Sequence, residues 1–176
     1  LILVEPKEGL PVVDTELYVM QGELYTAGPR GIKGLQVIDA GKLLQGDPEY
    51  IVFNGRVGSI SKDQVSVRQD ERVRMYVGNG GVNLISSFHL IGEIFDTVYP
   101  EAQMGGANFH NVQTTIVPAG GAAIVEFTAD VPGTYVLVDH ALARLDKGAW
   151  GTIRVDGERR LDIFAGDESD PHASGH

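Results

Sequence analysis

The chain has 176 residues, which fits one domain, and it carries no cysteine and a net charge of −10. The missing thiol excludes disulfides, thiolate nucleophiles and metal sites built on cysteine, and the acidity argues against a non-specific nucleic-acid binder. Apolar residues make up 43% of the chain, whereas its 23 glycines and 8 prolines are typical of all-β folds with many turns.

Most of the chain alternates apolar and polar residues, which is the pattern of half-buried β-strands. In chain order it predicts strands over Leu17–Tyr25, Tyr50–Phe53, Val65–Val67, Arg72–Val77, Leu84–Leu90, Phe95–Tyr99, Val112–Val117, Ala123–Thr128, Tyr135–Asp139 and Thr152–Val155. Turn signals such as Asn54-Gly55 fall between them. Short helices are predicted over Gly34–Leu44 and Ala141–Lys147. The sequence therefore predicts an all-β sandwich or barrel with one or two short helices.

The ends of the chain suggest how it is organised. It begins without Met, directly with the apolar run Leu1–Val4, so we expect an excerpt of a longer protein. We expect one domain over residues 1–160 and a small, polar, acidic tail over residues 161–176. No stretch reaches about 18 continuous apolar residues, so no transmembrane helix is predicted.

Histidines are the residues with the most scope for chemistry. His172 and His176 lie in the polar tail and His110 in a Gly/Asn-rich loop, where exposure to solvent accounts for them. His89 lies in an otherwise apolar or small strand. It is either a hydrogen-bonded core residue or a side chain whose proton affinity is tuned by burial. His140 ends the most apolar strand and starts a loop, which is a common way to present a metal ligand.

A metal at His140 would need ligands from elsewhere, because copper or zinc takes about three protein ligands. The sequence has no His-x-His pair, no His-Glu-x-x-His motif and no cysteine. Another domain or subunit would have to supply the rest. The sequence also lacks a phosphate-binding loop, a Gly-x-Ser-x-Gly nucleophile motif and a calcium loop.

Three segments together resemble the second cupredoxin domain of copper-containing dissimilatory nitrite reductases. They are GNGGVNL with SSFHLIGEIFD (78–84 and 86–96), NVQTTIVPAGG (111–121), and PGTYVLVDHALAR with KGA (132–144 and 147–149). The opening, Leu1–Pro11, resembles the segment that follows the first domain of that family, and the resemblance extends to about Gly157. It implies a cupredoxin-like Greek-key β-sandwich.

The resemblance also implies a mechanism. Such an enzyme is a homotrimer of two-domain subunits, in which a type 1 copper of the first domain passes an electron to a type 2 copper between subunits. Three histidines hold the type 2 copper, two from a first domain and one from the neighbour's second domain, and His140 resembles that third ligand. His89 resembles the catalytic histidine, and Ile91 the residue that shapes nitrite binding. Gln113 and Thr114 resemble the position that orients the catalytic ring. Some relatives carry a carboxylate at Gln113, so we expect a differently tuned proton network here.

The partners implied are nitrite, the missing N-terminal cupredoxin domain, the neighbours in the homotrimer and a small electron donor such as a cupredoxin or cytochrome c. Neither nucleic acid nor a membrane span is expected. The implied setting is denitrification or nitrate assimilation, in the periplasm or at the cell surface. The chain alone is expected to be inactive, because it holds one copper ligand of three.

Two alternatives stay open. One is a domain of a multicopper oxidase, although such enzymes use the paired His-x-His motifs that this chain lacks. The other is a metal-free cupredoxin-like domain that serves structure or oligomerisation. The absence of cysteine favours the second alternative, whereas the presence of both His89 and His140 in intact motifs argues against it.

Overall fold

The structure, a computed structural model, describes residues 1–61 and 63–163. Within them the chain forms the strands β1 (Thr15–Leu24), β2 (Tyr50–Phe53), β3 (Ser66–Arg68), β4 (Arg72–Asn79), β5 (Ser86–Ile91), β6 (Phe95–Tyr99), β7 (Phe109–Val112), β8 (Thr114–Val117), β9 (Ala122–Thr128), β10 (Gly133–Asp139) and β11 (Trp150–Asp156), and the helix α1 (Ala40–Gln45). Most of the predicted tail, with His172 and His176, lies outside the described residues.

The strands form two sheets. One has the order β2-β1-β4-β9-β6-β7 and the other the order β3-β11-β10-β5-β8. The chain crosses between the sheets after β5 and again after β7, and β1 and β3 pair in parallel with β4 and β11. The prediction of an all-β sandwich is confirmed. None of the helices in the described residues has the length and apolar character needed to span a bilayer.

The core lies between the two sheets and is built around phenylalanine rings. Phe88 stacks on Phe95 with ring centroids 6.0 Å apart and meets the edge of Phe53 at 6.3 Å. All three are almost completely buried. Burying a side chain of this size contributes about 1.5–3 kcal/mol. These contacts fix β5 against β2 and β6 of the opposite sheet.

Strand β5 is the element that positions the candidate site. Phe88 and Leu90 point into the core and are fully buried. Because side chains alternate along a strand, His89 and Ile91 lie on the other face of the sheet. In the sheet, His89 pairs with Val138 of β10 on one side and with Thr114 of β8 on the other.

The prediction of one strand over Val112–Val117 is wrong. The structure divides this segment at Gln113, so that β7 belongs to the first sheet and β8 to the second. Asn111, with a φ of 55°, gives the backbone a left-handed kink just before the crossing. Five of the six residues 112–117 are β-branched, so strand propensity continues through the crossing and the pattern alone did not reveal it.

The prediction of a helix over Gly34–Leu44 is wrong in its first half. Helix α1 starts only at Ala40, where the Asp39 side chain accepts a hydrogen bond from the Lys42 amide at 3.0 Å, and it ends at Gly46 with a φ of 68°. Leu35, which suggested an amphipathic face, is 99% exposed. In the second predicted helical segment, residues 142–144 form a single 3-10 turn.

Candidate functional site

His89 is held on the outer face of its sheet and is only 4% exposed. Its Nδ1 lies 2.6 Å from the backbone carbonyl oxygen of Gln113. Because a carbonyl oxygen can only accept, this contact places a hydrogen on Nδ1 and assigns the tautomer. Nε2 is then the nitrogen free to gain and lose a proton.

His140 follows the last residue of β10 and is exposed. Its ring centroid lies 5.2 Å from that of His89, with the ring planes 53° apart. Its backbone N–H donates to the carbonyl of Ser87 at 2.7 Å, which ties the start of the loop to β5. The structure thus brings together two histidines that are far apart in the sequence.

Asp139, which precedes His140, carries a fully buried carboxylate. Its Oδ2 accepts from Arg144 Nη1 at 2.5 Å and from Gln21 Nε2 at 2.9 Å, while its Oδ1 accepts from the Ser87 and Ala141 amides at 3.2 Å each. Sequence reasoning missed this cluster. The only signal available was a charged residue at the end of an apolar strand, with an arginine five residues later.

The remaining predicted residues surround the histidine pair. Ile91 lies on the same face of β5 as His89, two residues further on, and is 42% exposed. Thr114 is exposed and lies opposite His89 in the register of β5 and β8. The Gln113 residue contacts the His89 ring through its main chain, and its side chain is exposed. Ring orientation therefore depends on the path of the backbone at Gln113.

A groove of about 700 Å³ opens beside His89, and its rim is acidic. Its charged lining residues are Glu93, Asp96 and Asp130. Burial raises the pKa of Glu93 to about 7, and repulsion from Asp130 and Asp96 adds to the effect. Sequence reasoning did not single out Glu93, because nothing in the pattern shows how deeply a turn residue is buried.

The other histidine of the described chain lies apart from the pair. His110 in β7 is exposed, and its Nδ1 lies 3.2 Å from the backbone oxygen of Asp96. Among the described residues, no group of three or more His, Cys, Asp or Glu side chains is arranged to hold a metal ion. Within that part of the chain, a metal at His140 would therefore lack a set of three protein ligands.

Comparison with known proteins places the chain in a family. The sequence model of the multicopper oxidase family matches residues 33–159, well over half of the chain. The chain belongs to the multicopper oxidase family. Copper-containing nitrite reductases resemble this chain over almost its whole length. Those of Neisseria gonorrhoeae and Neisseria meningitidis serogroup B are 55% identical over 177 residues and 54% identical over 178 residues.

These matches cover 99% and 100% of this chain but 45% of each relative. The solved copper nitrite reductase of Nitrosomonas europaea superposes with a TM-score of 0.72 at 28% identity, over 86% of this chain and 52% of that one. The chain therefore spans about half the length of the relatives it matches. Both the predicted resemblance and the cupredoxin-like fold are confirmed.

Proposed function

We propose that this chain is the second cupredoxin domain of a copper nitrite reductase, which converts nitrite, one electron and two protons into nitric oxide and water. The observation that carries the proposal is the pairing of a buried imidazole, His89, with an exposed one, His140, whose ring centroid lies 5.2 Å away. The likeness to nitrite reductases over the whole chain supports the same reaction.

The residues present fit a shared copper. Imidazole suits copper in either oxidation state, and His140 presents one from the end of a rigid strand. Since the described residues offer no further ligand cluster, two histidines from the first domain of a neighbouring subunit would complete this type 2 site. Copper bound there would act as a Lewis acid toward nitrite and deliver the electron.

The surface around His140 supports a neighbour that covers it. Ile85, Ile91 and Leu142 flank the histidine pair and remain exposed, although each is a large apolar side chain. An apolar patch beside a polar site is typical of an interface. We propose that the first domain of an adjacent subunit in a homotrimer covers this patch. Ile91 would then face nitrite and shape its binding mode.

His89 would supply a proton to the departing oxygen of nitrite. The Gln113 carbonyl holds Nδ1–H and leaves Nε2 to exchange the proton. Burial to 4% exposure restricts the ring to one position and keeps bulk water away from most of it. A carboxylate in the first domain would be the second proton carrier. Because Gln113 is an amide, it cannot serve as a third.

The rest of the protein follows from the same proposal. The absent first domain would hold the type 1 copper, and a small cupredoxin or cytochrome c would reduce it. The proposed setting is denitrification or nitrate assimilation, in the periplasm or at the cell surface. The alternative that this chain is a domain of a multicopper oxidase enzyme, as distinct from a nitrite reductase, has less support. The chain lacks the paired His-x-His motif that such enzymes use.

The test is nitric oxide production from nitrite by the full-length protein that contains this chain. His89→Ala is expected to retain both coppers and to reduce turnover about 10²–10⁴-fold, the usual contribution of a general acid. His110→Ala is the matched control, since that histidine is exposed and lies apart from the pair. Turnover of His89→Ala equal to that of the control at every pH would refute the role of His89.

A further inference from the structure

The Asp139 carboxylate is fully buried, and its contribution to the stability of the fold does not explain why it is there. Removing a charge from water is costly, and replacing a buried ion pair by apolar residues of similar volume often leaves stability unchanged or improves it. A buried pair beside a candidate ligand therefore calls for another explanation. Here the Asp139 Oδ1 accepts from the amides of Ser87 on β5 and of Ala141 just after His140, and its Oδ2 pairs with Arg144.

The contacts of Asp139 join three parts of the molecule. Gln21 belongs to β1 in the opposite sheet, and its own Oε1 accepts from Ser86 Oγ of β5 at 2.7 Å. Arg144 donates at 2.7 Å to the Ile85 carbonyl, immediately before β5, as well as to Asp139. Through Arg144, the loop after β10 is thus tied to the residue that precedes the strand carrying His89.

The effect on His140 is direct. The residue before it is Asp139, whose buried carboxylate is anchored by Gln21 and Arg144. The Ala141 amide after it donates to that carboxylate at 3.2 Å, and the amide of His140 itself donates to the Ser87 carbonyl at 2.7 Å. The main chain at position 140 therefore has little freedom. The exposed ring is then the only part of His140 that can adjust to a metal.

We infer that Asp139 and Arg144 form a clamp that sets the position of the His140 ring relative to His89, so that the copper ligand is in place before the neighbouring subunit adds its two histidines. Both are positioning residues, since neither contacts nitrite. The inference rests on the proposed function, in which His140 binds copper. Groups that orient a metal ligand in this way contribute about 10–100-fold to metal affinity.

The test uses the full-length protein with Asp139→Asn and Arg144→Gln. Asp139→Asn keeps the shape of the side chain and removes its charge, whereas Arg144→Gln removes the guanidinium that bridges the loop to Ile85. A matched control is Arg154→Gln, which breaks an exposed ion pair with Asp156 on β11 (2.8 Å). Copper affinity is measured by competition with a chelator, and the second copper by its electron paramagnetic resonance spectrum.

The clamp variants are expected to bind the second copper about 10–100-fold more weakly and to show an altered copper hyperfine splitting at saturation. The control is expected to match wild type, and the blue absorbance of the first copper should persist in all of them. If Asp139→Asn does not fold, Arg144→Lys provides the test, with an affinity expected between those of Arg144→Gln and wild type.

The outcomes separate the two proposals. Copper affinity and spectrum equal to wild type in folded Asp139→Asn and Arg144→Gln would overturn the clamp, even if their melting temperatures fell. A His140→Ala protein that keeps the second copper would overturn the proposed function and the clamp with it. A second copper that requires His140 but is unaffected by the clamp variants would overturn the clamp alone.

Discussion

Substituting Glu93 by Gln should change how the stability of the chain depends on pH. Glu93 lies in the turn between β5 and β6, where burial raises the pKa of its carboxyl to about 7 from an ordinary value of 4.5. The native state therefore binds this proton more tightly than the unfolded chain does. The stabilisation is fully present below pH 4.5 and is lost as the pH rises through about 7.

The size of the effect follows from the same values. A change from 4.5 to about 7 corresponds to at most about 3 kcal/mol of unfolding free energy. The side chain keeps some contact with solvent, so screening reduces the expected effect to about 1–2 kcal/mol. Glutamine imitates the protonated carboxyl and does not titrate. The unfolding free energy of Glu93→Gln, measured relative to that of wild type, should therefore rise by about 1–2 kcal/mol between about pH 4.5 and pH 8.

Urea unfolding of the chain at both pH values measures this difference. Glu8→Gln is the control, because it removes the same charge at an exposed position and so reports the effect of net charge alone. The reasoning would be refuted by a difference between Glu93→Gln and wild type that is the same at both pH values, or that favours wild type at pH 8.

Three further predictions concern packing, charge and metal. Gly92→Ala should lower the unfolding free energy by about 2–4 kcal/mol in urea titrations, because its φ is +102° and a Cβ would lie 2.7 Å from Tyr135 Cδ1. Gly105→Ala, with a φ of +89° and nothing within 4 Å, should lose only about 1–2 kcal/mol. Arg74→Ala should cost about 3 kcal/mol in the same assay, because it removes the closer arginine partner of the buried Glu126 and leaves only Arg72 at 3.4 Å. The isolated chain should bind no copper tightly by equilibrium dialysis; stoichiometric copper with nitrite turnover would contradict this.

The strands were predictable where a short run rich in β-branched and aromatic residues has turn residues on both flanks. The predicted strand over Phe95–Tyr99 has the same bounds in the structure, and the one over Ala123–Thr128 differs by a single residue. The error over Val112–Val117 has a physical cause. Alternation shows which side chains are buried, but it does not show which sheet buries them.

The helical error has a related cause. The apolar residues that precede Ala40 have helical spacing, yet within the described residues no surface covers them: Leu35 is 99% exposed and Val37 is 72% exposed. What sets the helix is local, namely the Asp39 cap and the left-handed Gly46. Capping residues were therefore a better guide to its limits than hydrophobic spacing.

The candidate site was only partly predictable from residues alone. His140 stood out because it ends an apolar strand, but the neighbourhood of His89 depends on the pairing of β10 with β5, in which Val138 lies opposite His89. The family resemblance had implied a role for each histidine, but not this pairing of strands. It did not supply the buried contacts of Asp139, since these require Gln21 from the opposite sheet.

The central claim is that this domain contributes His140 to a copper shared with a neighbouring subunit. The most direct measurement is the copper content and electron paramagnetic resonance spectrum of full-length His140→Ala beside wild type. The account predicts loss of the signal of the second copper while the blue absorbance of the first copper is kept. Loss of the blue absorbance, or an unchanged second copper, would contradict it.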